Sequence, residues 1–82
     1  MAECLLYRHL PSSPPRFYRV EIAYDLFDDV AVICEWGVVG GLQHRTSQSF
    51  ANLREASQLA DGLREDAVQR GYQEDDARNW LM

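Results

Sequence analysis

Lysine is absent from this chain of 82 residues; all eight positive charges are arginine, set against thirteen acidic side chains for a net charge of −5. Proteins that hold nucleic acid by a broad field of phosphate contacts are basic, so that mode of binding is argued against from the outset. Cysteine is scarce as well. Cys4 and Cys34 lie in apolar surroundings with no CxxC spacing and no second pair, which excludes a disulfide framework and leaves two reduced core cysteines as the expectation. No window approaches the roughly eighteen apolar residues that a membrane helix needs. The first residues lack the basic flank, long apolar run and small-residue cleavage site of a leader. A cytoplasmic protein with no membrane contact is expected.

Catalytic and metal-binding patterns are missing too. His9 and His44 have no cysteine or carboxylate at ligand spacing, so no metal site is expected. The serines and the two cysteines show no positioned base, and neither a phosphate loop nor a dinucleotide fingerprint occurs. The chain is expected to be no enzyme and to carry no cofactor.

What is present suits one small core: hydrophobic residues make up 46% of the chain, and its length leaves no room for a second domain. "ECLLYRHL" has β-compatible composition, with Leu6 and Arg8 on one face and Leu5 and Tyr7 on the other, and stops at Pro11. "PSSPP", residues 11–15, holds all the prolines and reads as a loop. "RFYRVEIAY" alternates Tyr18, Val20, Ile22 and Tyr24 towards a core against Phe17, Arg19, Glu21 and Ala23. After the aspartate-rich "DLFDD", "VAVICEW" reads as its antiparallel partner. "GVVGG" can reverse the chain. The polar "LQHRTSQSF" then suits an edge strand, with Leu42, His44, Thr46 and Gln48 opposed to Gln43, Arg45, Ser47 and Ser49.

From Asn52 the period changes to that of a helix, with Leu53, Ala56, Ala60, Leu63 and Ala67 on one face. Asn52 and Glu55 fit a capping box, and Gly71 is a natural stop after which Tyr72 can fold back on the last turn. The predicted fold is α+β: a small antiparallel sheet of three to four strands with one C-terminal amphipathic helix packed on it. It forms a domain over residues 1–72, followed by an acidic tail, 73–82, with an apolar Trp-Leu-Met end.

The pieces "LLYR", "RFYRVEI", "LF", "EWGVVG", the phenylalanine before the helix, "EA" and the closing "RGY" come in an order and spacing that resembles the WGR domain, named for its Trp-Gly-Arg turn. The resemblance covers residue 4 to about residue 72. It implies the same sheet-and-helix fold and an association with nucleic acid, as in the DNA-damage-responsive poly(ADP-ribose) polymerases and in short bacterial proteins of the family. There the turn tryptophan lies against sugar at a DNA end and the neighbouring arginine meets phosphate. Trp36 and Gly37 match the turn, whereas Val38 stands where the arginine belongs. The basic run that bacterial members often carry before the final Gly-Tyr is reduced to Arg70 by "EDAVQRGY", which adds Glu65 and Asp66.

Residues 25–36 carry a charge of −4, so an anion-binding face must lie away from Asp25, Asp28, Asp29 and Glu35. The expected nucleic-acid-binding set is Trp36, Gly37, Arg45, Arg70 and Arg19, with Arg16 as a further candidate. Each has a plainer reading. Trp36 can be a core residue at a strand end, the glycines can serve a tight hairpin, and the arginines can be solvated surface charge. Two functions stay open: weak binding of DNA ends or single-stranded nucleic acid, and a protein-interaction module that has lost DNA binding and uses the acidic turn or the tail.

Overall fold

Residues 2–74 are described by the computed structural model of the chain, and the apolar end at residues 80–82 lies outside them. The described residues form β1 (Ala2–Arg8), β2 (Arg16–Tyr24), β3 (Val30–Val38), β4 (Gln43–Phe50), α1 (Leu53–Gln69) and β5 (Gln73–Glu74). All strand pairs are antiparallel, in the spatial order β4-β3-β2-β1-β5. The fold is thus the α+β architecture expected, with one strand more than the three to four read from the sequence. The addition is small. β5 pairs Gln73 with Tyr7 and Glu74 with Leu6, and a two-residue polar strand has no periodicity by which to show itself.

One face of the sheet carries α1. Ala2, Cys4 and Leu6 of β1, Tyr18, Val20 and Ile22 of β2, and Val30, Val32 and Cys34 of β3 are buried there against Ala56, Ala60, Ala67 and Tyr72. The alternation of two along each strand and of three and four along the helix meets in this layer. Tyr24 departs from the expected core face: it is 63% exposed, at the end of β2 beyond Ile22, where the described pairing with β1 stops. Leu53 is likewise 42% exposed at the start of α1, while Leu59 and Leu63 pack at the margin of the core. The helix therefore meets the sheet mainly through alanines, whose short side chains allow close approach.

The helix ends follow the expected chemistry. Asn52 Oδ1 accepts from the Glu55 N–H at 2.9 Å, satisfying one of the free donors of the first turn. At the other end Gly71 adopts φ +98. Its N–H donates to the Val68 carbonyl at 3.0 Å and the Tyr72 N–H to the Ala67 carbonyl at 3.1 Å. That is the paired closure of a Schellman motif, and it drops Tyr72 onto the core. An ion pair, Arg64 to Glu74 at 2.5 Å, ties the helix to β5.

Cys4 and Cys34 are free and buried. Burial, with Glu74 nearby, pushes the Cys4 thiol up to about 11. Among the described residues no helix is long and apolar enough to cross a membrane.

Candidate functional site

The strand register lines up a row of rings on the helix-bearing face. Tyr18 stands opposite Trp36, and Trp36 opposite His44. Their centroids are 6.4 Å and 5.5 Å apart, with planes inclined by 29° and 24°. Tyr72, delivered by the helix stop, meets Tyr18 edge-on at 5.7 Å. Burial declines along the row: Tyr72 and Tyr18 are in the core, Trp36 is half-buried and His44 is exposed. Trp36 thus packs on the core with one part of its surface and meets solvent with the rest. Burial and the adjacent Cys34 side chain hold the Tyr18 hydroxyl firmly protonated.

The turn after Trp36 explains its glycine. A Cβ at Gly37 would collide with the Leu42 carbonyl oxygen and stand 2.8 Å from the Gln43 Cα. Val38 donates to Leu42 at 3.0 Å and accepts from Gly41 at 2.9 Å, closing the turn over Gly40 at φ +76. Val39 donates to the Pro15 carbonyl at 2.9 Å, which fastens this turn to the proline loop before β2.

Arg70 belongs to this site. Its guanidinium carbon lies 5.6 Å from the Tyr18 ring centroid, a cation–π placement, while an exposed pair with Asp66 at 2.9 Å steadies it. Two arginines join it from the strands. Arg8, half-buried, ends β1 on the same face, and the Cβ that Gly71 lacks would stand 3.6 Å from its Nε. Arg16, exposed, begins β2 between Arg8 on one side and Val38 on the other.

The remaining expected residues lie elsewhere. Arg19 is on the opposite face, where it reaches Glu35 at 2.5 Å, Glu21 at 2.6 Å and Glu3 at 3.3 Å. Burial opposes its charge, but the bonds to Glu21 and Glu3 outweigh that and hold the guanidinium protonated. With three carboxylates on it, Arg19 is committed to the protein's own acids. Arg45 is exposed on that same face, opposite Glu35 in the β3–β4 ladder. The structure therefore brings Trp36, Gly37 and Arg70 together and separates them from Arg19 and Arg45.

Tyr18, His44 and Arg8 were not singled out from the sequence. A usable signal existed: Arg8 shares the parity of Leu6, and His44 the parity opposite to Arg45. What was missing was the register between strands, which decides who stands beside Trp36.

Among the described residues no group of histidine, cysteine and carboxylate side chains is placed to hold a metal. The β2–β3 turn lies at the far end of the strands from the ring row, about 20 Å along β2 from Tyr18 to Tyr24 at the usual rise per residue. Leu26 and Phe27 at its tip are 96% and 83% exposed. Asp25 Oδ1 fixes that tip by accepting from the Phe27 N–H at 2.8 Å and the Asp29 N–H at 3.0 Å.

Among known proteins, the family model of the WGR domain matches residues 4–79, nearly the whole chain. No curated protein matches the chain, and no solved structure does.

Proposed function

The chain belongs to the WGR domain family, and from that premise we propose that it is a non-enzymatic module that binds nucleic acid weakly, at DNA ends or on single strands, through the ring row around Trp36. The observation that carries the reading is the row itself: a half-buried tryptophan, held by Tyr18 behind it and His44 in front, with the guanidinium of Arg70 over the Tyr18 ring. Trp36 presents a flat apolar surface to a sugar or base, a contact worth roughly 1–3 kcal/mol when such a residue serves stacking. Arg70 supplies charge for a phosphate. Few phosphates are neutralised, so affinity is modest and its salt dependence shallow, about 0.7 in the logarithmic slope for each single-strand phosphate contacted. The two free, buried cysteines support a reducing, cytoplasmic setting.

The test is an amide-resolved NMR titration with a short 5′-phosphorylated duplex and the matching single strand, at low and near-physiological salt. Shifts concentrated at Tyr18, Trp36, His44 and Arg70, fading as salt rises, are expected. Silence of these residues at low salt would overturn the reading.

A second reading is supported by the β2–β3 tip. Its fixed loop displays Leu26 and Phe27 among Asp25, Asp28 and Asp29, and such a surface suits a protein partner with an apolar pocket rimmed by bases. Under this reading the module contacts protein and leaves nucleic acid alone. The same titration separates the two.

A further inference from the structure

Arg8 and Arg16 stand directly opposite each other in the β1–β2 ladder. Like charges in that relation repel and weaken a sheet. Neither has a carboxylate partner among the described residues, although the chain holds thirteen acids to eight arginines. On the other face the same surplus of acid gives Arg19 three carboxylates. The C-terminal end of α1 accounts for Arg8, since the last carbonyls of a helix favour a cation and its Nε lies against Gly71. No protein group among the described residues accounts for Arg16. A pair of guanidinium groups with no carboxylate among the described residues, beside an aromatic row, is the arrangement that an anionic ligand completes.

The position of Arg16 gives the pair its meaning. Its second ladder neighbour is Val38, and cross-strand neighbours on one face have Cβ atoms roughly 5 Å apart. The long side chain of Arg16 can therefore reach across the short one of Val38 towards Trp36. Val38 itself is turned to structural use: a Cβ at Gly41 would come within 3.3 Å of its side chain, and both its backbone groups close the turn.

We propose that Arg16 is the phosphate-binding cation of this chain, delivered from β2 to the place beside Trp36 where the turn residue Val38 carries no charge, with Arg8 and Arg70 completing the seat. The ligand is a phosphate of a nucleic-acid strand whose sugar or base lies on Trp36, so the inference rests on the nucleic-acid reading above. Planar guanidinium groups suit this task because each can grip two phosphate oxygens at once.

The test compares four proteins for binding of a dye-labelled, 5′-phosphorylated single strand at low salt: the unaltered chain, Arg16→Gln, Arg45→Gln, and the double variant Arg16→Gln with Val38→Arg. Arg16→Gln is expected to lose roughly tenfold or more in affinity and about 0.7 from the salt slope. Arg45→Gln, on the opposite face, should change affinity less than twofold. The double variant should recover most of the loss, because it returns a cation to the adjacent ladder position. Arg16 is exposed, so Arg16→Gln should fold with a melting temperature no lower than that of the unaltered chain. An unaltered chain that binds, with Arg16→Gln binding equally well, overturns the proposal and leaves the nucleic-acid reading standing. A double variant no better than Arg16→Gln overturns the exchange between positions 16 and 38. No binding by the unaltered chain removes both.

Discussion

Gly37 and Cys4 show how single residues set the terms of this fold. Gly37 has backbone, not flexible side chain, where a Cβ would go, so relief requires moving the 37–43 turn itself. Gly37→Ala should cost roughly 2 kcal/mol or more and displace Trp36 within the ring row; denaturant melts with near-ultraviolet circular dichroism would check both. Cys4 sits fully buried in the strand-helix layer, and its thiol is raised from 9.0 to about 11. A folded-state pKa above the unfolded one means that the native protein keeps its proton longer. The associated stability is therefore complete below pH 9 and lost as pH climbs from 9 to about 11. Unfolding free energy should fall by up to roughly 2 kcal/mol across that window, and Cys4→Ala should show a smaller fall over the same range. Both residues are legible in the sequence as types, a turn glycine and a core cysteine. The collision that makes Gly37 obligatory is not, because it depends on how closely the returning chain passes.

Among the elements, α1 is the one whose substitutions separate most cleanly by face. Ala60 is wholly buried against the sheet, and Ala60→Leu should overpack the layer at a cost of about 1–3 kcal/mol. Two positions on, Gly62 has open space where its Cβ would go, and Gly62→Ala should stabilise the helix by about 0.5–1 kcal/mol. Thermal melts of the two variants should move in opposite directions. This helix was legible almost to its last residue because its signals are local: a side-chain cap, a three-and-four repeat and a glycine stop. β2 and β3 were legible for the same reason, β2 through alternation of apolar and polar side chains and β3 through its β-branched and aromatic composition. β5 was not, since Gln73 and Glu74 become a strand only because β1 offers them a free edge. The candidate site depended on the non-local step. The register that sets Arg16 beside Val38 and Trp36 beside His44 follows from turn lengths and from the helix returning Arg70 to β2, and no periodicity encodes it.

At the scale of the whole molecule, charge is sorted by place among the described residues. Arg8, Arg16 and Arg70 gather at the end where the helix stops, Asp25, Asp28 and Asp29 at the opposite hairpin, and the outer face balances Arg19 against its three acids. A net charge of −5 thus coexists with a local excess of arginine, in which Asp66 is paired with Arg70, a pattern invisible to composition. The same distribution bears on the open side of the sheet. Among the described residues β4 has a strand neighbour only on its β3 side, and its side chains from Gln43 to Ser49 are exposed, so its outward N–H and C=O groups are a template on which a second chain can add. Arg45 and His44 are its guards at close range, and mutual repulsion between acidic copies is the guard at long range. That second guard disappears near the isoelectric point of about 4.8. Light scattering across mildly acidic pH should therefore show self-association peaking there, and Arg45→Val should broaden the peak towards neutrality. The stretch that holds the edge of the fold open to solvent is also the one that sets the conditions in which the protein can be kept in solution.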